Sequence, residues 1–419
     1  MTVDTLDALE RRDPQDRERD LMARLPHLVA QARSAPGWAA ILQDVDPQRI
    51  NSRAALAELP ITRKADLKGL QRLAMPFGGL NTTPVGQLSR VFMSPGPIFD
   101  PEGRGPDWWR FARPMYAAGI RAGGLLQNCF SYHFTPAAYM VEGGAAKIGC
   151  AVIPAGAGQT ELQVQAIVDL RPDTYVGTPS FLRIIIEKAR EMNADISSIE
   201  RALMGAEALP ESLRAWFREN GVPQIFQTYA SADIGSVAYE TASGGVLNPG
   251  MMLDEDVILE IVRPGSGEPV KPGDVGEIVV TLFNADYPLI RFATGDMSAM
   301  LTDMPPSACG RTNSRIRGWL GRADQTTKVR AMFVHPSQVQ NITRRHPEIL
   351  KARLVVSGRM ANDVMTLRCE VAAPPGPDCT AAIIDSIREV TKLRGGVEFV
   401  GRGALPSDGI LIEDLRDYS

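Results

Sequence analysis

The sequence predicts an α/β protein in two parts: a large N-terminal α/β domain with a β-rich subdomain, and a small C-terminal α+β domain. Three observations predict it. Between Trp108 and Tyr229, short apolar runs alternate with helix-spaced segments, the pattern of parallel strands joined by right-handed crossovers. After Tyr229 strand-like runs follow one another through turns rich in Pro and Gly. Near Gly321 helix and strand mix again over a stretch of about 100 residues, enough for one small domain. The boundaries read this way are 1–319, with 1–75 as a helical lead-in and about 236–319 as the β-rich part, and 320–419 for the last domain.

Taken in order, residues 4–34 scatter apolar positions among charges and predict one or two surface helices. Met75 to Asp107 carries six prolines and predicts a long irregular segment, which in a compact protein is usually functional. Trp108 to Gly119 has helix spacing. Ala145 to Pro154 reads as helix end, turn and short buried strand, and Thr160 to Leu170 as a helix begun by a Thr cap. Asp173 to Pro179 is a strand running into a loop, followed by an amphipathic helix from Phe181 to Met192. Arg201 to Ala206 and Gln224 to Tyr229 are strands flanking a helix from Pro210 to Asn220. Val257–Val262 and Gly276–Leu282 are strand-like segments of the β-rich part. The last domain contains strands at 328–334, 353–357, 364–371 and 397–400, with helices from Pro336 and Thr380.

Composition is that of a globular protein: 419 residues, 44% hydrophobic and 22% charged. With 45 Lys+Arg against 49 Asp+Glu, the formal charge of -4 argues against a nucleic-acid surface. The five cysteines form no CxxC pair, so neither a disulfide framework nor a zinc finger is predicted. A charged N-terminus and the lack of about 18 consecutive apolar residues predict a soluble, cytoplasmic chain without membrane contact.

Four segments carry the functional signal. Gly205, Ala206 and Glu207 end a strand; Tyr229 to Gly235 follow another; Pro288 to Met297 lie late in the β-rich part; Gly321 to Val339 open the last domain. Singly, each has a bland alternative: turn glycines, a core tyrosine, a cap at Asp296, a solvated loop at Arg322 and Asp324. In order and at these separations they resemble the motif series of adenylate-forming enzymes, nearest the phenylacetate-CoA ligase branch, from about residue 85 onward. The segment from Val152 to Gln165 and the Thr178–Leu182 segment are similar to that branch in particular.

The resemblance implies a carboxylic acid activated by ATP to an acyl-AMP, then transferred to CoA, with Mg²⁺ as cofactor and often a homodimer. It further implies that Gly205, Ala206 and Glu207 lie along adenine and that Tyr229 stacks on it, a role needing a planar π-face. Asp296 matches the carboxylate that accepts from the ribose hydroxyls, Arg322 a catalytic cation over ribose and phosphate, and Asp324 the hinge. Asp233 stands where the family has a metal-facing Glu near the α-phosphate; it is one methylene shorter. Tyr132, His133, Thr178 and Pro179 match the acyl pocket. Cys129 with His133 reads alternatively as a nucleophile pair, less well than as pocket lining. Trp108 and Trp109 read as core or pocket wall, His335 as structural. Some of this branch carry a Cys/His zinc cluster after the Tyr motif; Tyr239 to Asp256 has neither residue type, so no such metal is predicted.

Two departures stand out. The family phosphate loop reads roughly Ser-Ser-Gly-Thr-Thr-Gly-Lys-Pro, exposing backbone N–H groups beside a Lys. Residues 94–101 here begin Ser94, Pro95, Gly96, Pro97; the two prolines delete donors, and Asp100 puts negative charge where Lys belongs. Near the C-terminus, Ile410 takes the place of the catalytic Lys, with Arg416 or Lys392 as spatial substitutes. Three functions therefore stay open: an ATP-dependent acyl- or aryl-acid CoA ligase favouring an aromatic or apolar acid; an ATP-independent enzyme moving or cleaving an acyl thioester; or an inactive homologue binding nucleotide, acyl-CoA or a protein partner.

Overall fold

The architecture is described from a computed structural model covering residues 4–302, 304–323, 325, 327–330, 332–359, 362–373, 375–406 and 410–416. The chain divides into two compact units, Met1–Leu320 and Gly321–Ser419.

The first unit opens with helices α1 (Pro14–Ala32), α2 (Pro36–Ile41) and α3 (Arg53–Ala57), then a short strand β1 (Thr62–Arg63) leading into α4 (Lys64–Leu73). These are not surface helices. Leu21, Leu25, Leu28 and Val29 of α1 and Trp38 of α2 enter the main apolar core, because their helix-spaced stripe meets the β-rich sheet described below. Polar residues of this lead-in are buried too. The Arg17 guanidinium grips Glu255 through Nε (2.9 Å) and Nη2 (3.1 Å), while Glu10 accepts from Tyr239 (3.2 Å) and Arg311.

The stretch expected to be irregular holds a tight hairpin, β2 (Arg90–Ser94) and β3 (Ile98–Glu102), paired from Arg90↔Glu102 to Ser94↔Ile98. Of the six prolines, Pro95 and Pro97 sit in its turn and Pro101 in β3, an edge strand, where prolines are tolerated. Only Ala112–Ala117 (α5) of the predicted Trp108 helix forms. Then come β4 (Leu125–Asn128), α6 (Ala137–Ile148), β5 (Ala151–Ile153), α7 (Thr160–Leu170), β6 (Thr174–Gly177), α8 (Pro179–Glu191), β7 (Arg201–Met204), α9 (Glu211–Glu219) and β8 (Gln224–Ser231).

Strand order β5-β4-β6-β7-β8 is parallel throughout, and β9 (Gly235–Tyr239) turns back antiparallel to β8. The two-stranded β10 (Ala242–Ser243) and β11 (Val246–Leu247) intervene; β12 (Met251–Leu253) and, much later, β16 (Arg315–Ile316) extend the same sheet to eight strands. Three local expectations are corrected. β5 is an edge strand and half-exposed, since only β4 pairs with it. Thr160 is the first residue of α7, whose cap position is Gln159, and no side chain caps it. Thr178 does not enter a loop: it caps α8 directly, its side chain accepting from Phe181 N.

A second sheet of β13 (Val257–Val262), β14 (Gly276–Leu282) and β15 (Leu289–Ser298) is antiparallel, and β1 joins it parallel to β15, with Arg63 opposite Ala293. The β-rich part thus borrows one strand from the lead-in and lends three to the large sheet.

The second unit has a hairpin β17 (Thr327–Val329) and β18 (Met332–Val334), α10 (Pro336–Arg345), the long pair β19 (Ile349–Arg359) and β20 (Asn362–Val371), α11 (Pro377–Thr391), β21 (Gly396–Val400) and β22 (Ile412–Asp414). Its sheet order is β21-β20-β19-β22, and its core is its own, built on Val339, Ile342, Leu354, Leu367, Ile383 and Ile387. β22 escapes the sequence reading because it has three residues.

Candidate active site

The C-terminal ends of β4, β6, β7 and β8 gather most of the expected residues. Gly205 follows β7 and bonds through N to Gly177 O at the end of β6 (3.2 Å); a Cβ on it would stand 3.6 Å from Thr228 and 3.7 Å from Phe130. Ala206 is exposed and holds φ +64, a left-handed backbone that alanine seldom adopts. Strain of this kind concentrates at working sites. Glu207 is anchored on both sides: its carboxylate accepts from Ser180 N (3.2 Å) and its carbonyl from Gln227 Nε2 (3.1 Å).

Tyr229, at the end of β8, is 8% exposed, and its hydroxyl donates to Asp296 Oδ2 (2.8 Å) of β15. The opposite carboxylate oxygen, Oδ1, accepts from Trp319 Nε1 (3.0 Å), and Asp296 N donates to Thr294 Oγ1 (3.1 Å). Asp233 lies in the turn between β8 and β9. That turn is tight: Gly235 has φ +66, and a Cβ there would come within 2.7 Å of the Trp109 carbonyl.

The residue the sequence did not disclose is Lys64. Its ammonium bonds to Asp233 Oδ2, which also accepts from Ser231 Oγ (3.1 Å). The topology explains the meeting: β1 lies along β15, so the first residue of α4 is carried to the Asp296 end of that strand. Burial works against a charged amine. The charges of Asp233, then Asp100 and Asp296, more than offset it and raise the Lys64 pKa above the usual lysine value.

The segment matching the phosphate loop is the β2–β3 hairpin. Ser94 is buried, and Gly96 lies in the turn, where its carbonyl accepts from Lys68 Nζ (2.7 Å). Gln71 of α4 docks the hairpin through both backbone groups of Phe99, at 2.8 and 2.9 Å. This turns Asp100 inward, to 1% exposure. Its Oδ2 has no hydrogen-bond partner among the described residues, and the same holds for Asp233 Oδ1 and the Tyr287 hydroxyl. Burial first, then the charge of Asp233, pushes the Asp100 carboxyl well above the ordinary aspartate range, against weaker opposition from Ser94 and Lys64.

The predicted acyl-pocket residues divide. Tyr132 sits against Gly156, and its hydroxyl donates to Glu142 (2.6 Å) and accepts from Asn128 Nδ2 (2.9 Å). Burial, then Glu142, raises its phenol pKa above normal. Pro179 is buried beside Thr178, whose carbonyl accepts from Tyr175 (2.9 Å). His133 is exposed and packs edge-on against Phe134, 4.5 Å between ring centres. Cys129 is buried with Sγ 3.4 Å from Gln163 Oε1, and burial pushes its thiol up to about 12. Cys129 is thus buried and bonded to Gln163 while His133 is exposed, an arrangement that favours packing over a Cys–His nucleophile pair. Trp109 is core; Trp108 donates to Asp286 (2.8 Å).

In the second unit, Arg322 is half-buried at the start and Asp324 lies outside the described residues. Ile410 is exposed; Arg416 is engaged with Asp414, Asp363 and the Lys328 carbonyl within that unit. His335 precedes α10, where its N–H donates to the Gln338 side chain (2.8 Å). Among the described residues no group of three or more His, Cys, Asp or Glu is placed to hold a metal, and no helix is long and apolar enough to cross a membrane.

A site at the carboxyl ends of parallel strands is the usual ligand position of an open α/β sheet. A family model for AMP-binding enzymes matches residues 127–282. The chain is 30% identical over 365 residues to phenylacetate-coenzyme A ligase of Thermus thermophilus, covering 84% of this chain and 80% of that one. It is 28% identical over 338 residues to phenylacetate-coenzyme A ligase of Aromatoleum evansii, covering 78% and 74%. A 2-hydroxyisobutyryl-CoA ligase, crystallised with 2-HIB-AMP and CoA in the thioesterification state, shares the fold with TM-score 0.81 at 22% identity, over 98% of this chain and 92% of that one. The chain belongs to the phenylacetate-CoA ligase family of adenylate-forming enzymes.

Proposed function

We propose that the protein is an acid–CoA ligase: a small carboxylic acid attacks the α-phosphorus of ATP, releasing pyrophosphate and forming an acyl-AMP, and the CoA thiol then displaces AMP to give the thioester. The observation that carries this reading is the frame of Gly205–Glu207, Tyr229 and Asp296, with the Lys64 ammonium beside Asp233. Negative charge builds on the α-phosphate as the acid attacks, and a partly desolvated cation stabilises it more than one fully in water does. Lys64 supplies that cation in a chain whose phosphate loop has none and whose late lysine is Ile410. ATP and Mg²⁺ fit this setting. Asp233 Oδ1, buried and without a partner among the described residues, would hold Mg²⁺, whose other ligands are commonly phosphate oxygens and water. The ion would neutralise phosphate charge.

The substrate is an aromatic or apolar acid. Phe130 is buried next to Gly205, and the Tyr132 hydroxyl is already engaged, leaving the ring as the useful surface.

The test is pyrophosphate release from ATP and Mg²⁺ with a panel of aryl and short-chain acids, with and without CoA. The wild type is expected to release pyrophosphate with at least one aryl acid, and Lys64→Met to lower that rate by on the order of 100-fold. A panel without turnover rejects the ligase. A second reading is favoured by the inward Asp100 in the phosphate-loop hairpin, whose Oδ2 has no partner among the described residues: the same fold acting on a ready-made acyl thioester. Consumption of benzoyl-CoA or phenylacetyl-CoA without ATP is its mark.

A further inference from the structure

The carboxylate matched to ribose is oriented by the chain that leaves the first unit. Residues 317–320 are stitched to the end of β15: Arg317 N donates to Ala299 O (2.9 Å), Ser298 Oγ to Gly318 O (2.6 Å), and Leu320 N to Met297 O (2.9 Å). Between these bonds the Trp319 indole N–H donates to Asp296 Oδ1 at 3.0 Å. Tyr229 approaches the other oxygen from β8 at 2.8 Å. Two aromatic donors, one to each oxygen, thus restrict the orientation of one carboxylate.

Trp319 is not in place for burial's sake. It is 42% exposed, so much of the ring stays in water and forgoes the gain that normally holds a tryptophan. The specific feature of its position is the charge-assisted bond to Asp296, a type stronger than a neutral hydrogen bond. The direction of that carboxylate is what the donors determine. Two residues later the chain passes Gly321, the first residue of the second unit, at φ +121.

We propose that Trp319 is a positioning residue for nucleotide binding: its indole holds Asp296 in the orientation that accepts the ribose hydroxyls, and so ties ribose occupancy to the segment joining the two units. The proposal rests on the nucleotide reading of the site and adds to it a residue outside the four motif segments' assigned roles. Because Trp319 acts through Asp296, its effect passes through the ribose hydroxyls and not through adenine or phosphate.

Trp319→Phe keeps a flat ring and deletes the N–H. Titration calorimetry of the full-length wild type and variant with AMP and with 2′,3′-dideoxy-AMP separates the possibilities. The variant is expected to bind AMP roughly tenfold more weakly, the loss of one hydrogen bond to a charged group, while dideoxy-AMP binds the two proteins equally. AMP should also change tryptophan emission in the wild type and not in Trp319→Phe, which keeps Trp38, Trp108, Trp109 and Trp216. Equal weakening of both nucleotides, or unchanged AMP affinity, overturns the positioning role and leaves the nucleotide site standing. If the wild type binds neither nucleotide, the nucleotide reading itself fails and the proposal falls with it.

Discussion

Asp100 is the residue whose chemistry departs furthest from its sequence expectation. Read along the chain, it is a negative charge facing a phosphate. Folded, it is an inward carboxyl with one oxygen that has no partner among the described residues, near Asp233 and Lys64, and burial favours its neutral form. Tyr287, facing the same place, is held protonated by burial and then by Asp100 and Asp233. The sign of the consequence follows from linkage. A carboxyl whose folded pKa is raised contributes stability below its unfolded value of about 3.9, and that contribution is lost as pH rises through the folded value. Asp100→Asn is neutral throughout, so urea midpoints should show it more stable than wild type at about pH 8, with the advantage shrinking toward about pH 4. An asparagine variant that is less stable at the higher pH sinks this account. Lys64 was beyond reach of a linear reading for a related reason: its partner Asp233 lies 169 residues away.

The turn between β8 and β9 places Asp233, and its geometry depends on one glycine. Gly235 combines a left-handed φ with a Cβ position 2.7 Å from the Trp109 carbonyl, so a methyl group meets both backbone strain and a collision with backbone. Gly235→Ala should lose about 2 kcal/mol or more. Gly244, also left-handed but with open space around it, is the control, and its Ala variant should lose only about 1 kcal/mol. Equal losses in thermal melts would mean that the contact with Trp109 is unimportant. The elements themselves were unevenly legible. The parallel strands and their helices follow from runs long enough to show a period. The β2–β3 hairpin did not, because its prolines read as loop although Phe92 and Ser94 alternate inward with exposed Val91 and Met93. That alternation was the available signal.

The second unit carries its own core, from Val329 to Ile412, and among the described residues its strands pair inside the unit. A fragment of residues 321–419 should therefore fold alone, with a cooperative thermal transition; a gradual, non-cooperative loss of circular dichroism would contradict this. What could be read without coordinates was whatever is local in the chain: the alternation of strands and helices, the strings around Gly205, Tyr229 and Asp296, and the loss of the loop and late lysines. Hydrophobic period and motif spacing are properties of neighbouring residues, so they survive in one dimension. Folding alone determined that α1 and α2 are core, that Lys64 reaches Asp233, that Asp100 turns inward, and that Trp319 and Tyr229 share one carboxylate. Each of these depends on distance through space and on exclusion of water. Coulomb and desolvation energies are governed by those two quantities, and neither is encoded by separation along the sequence.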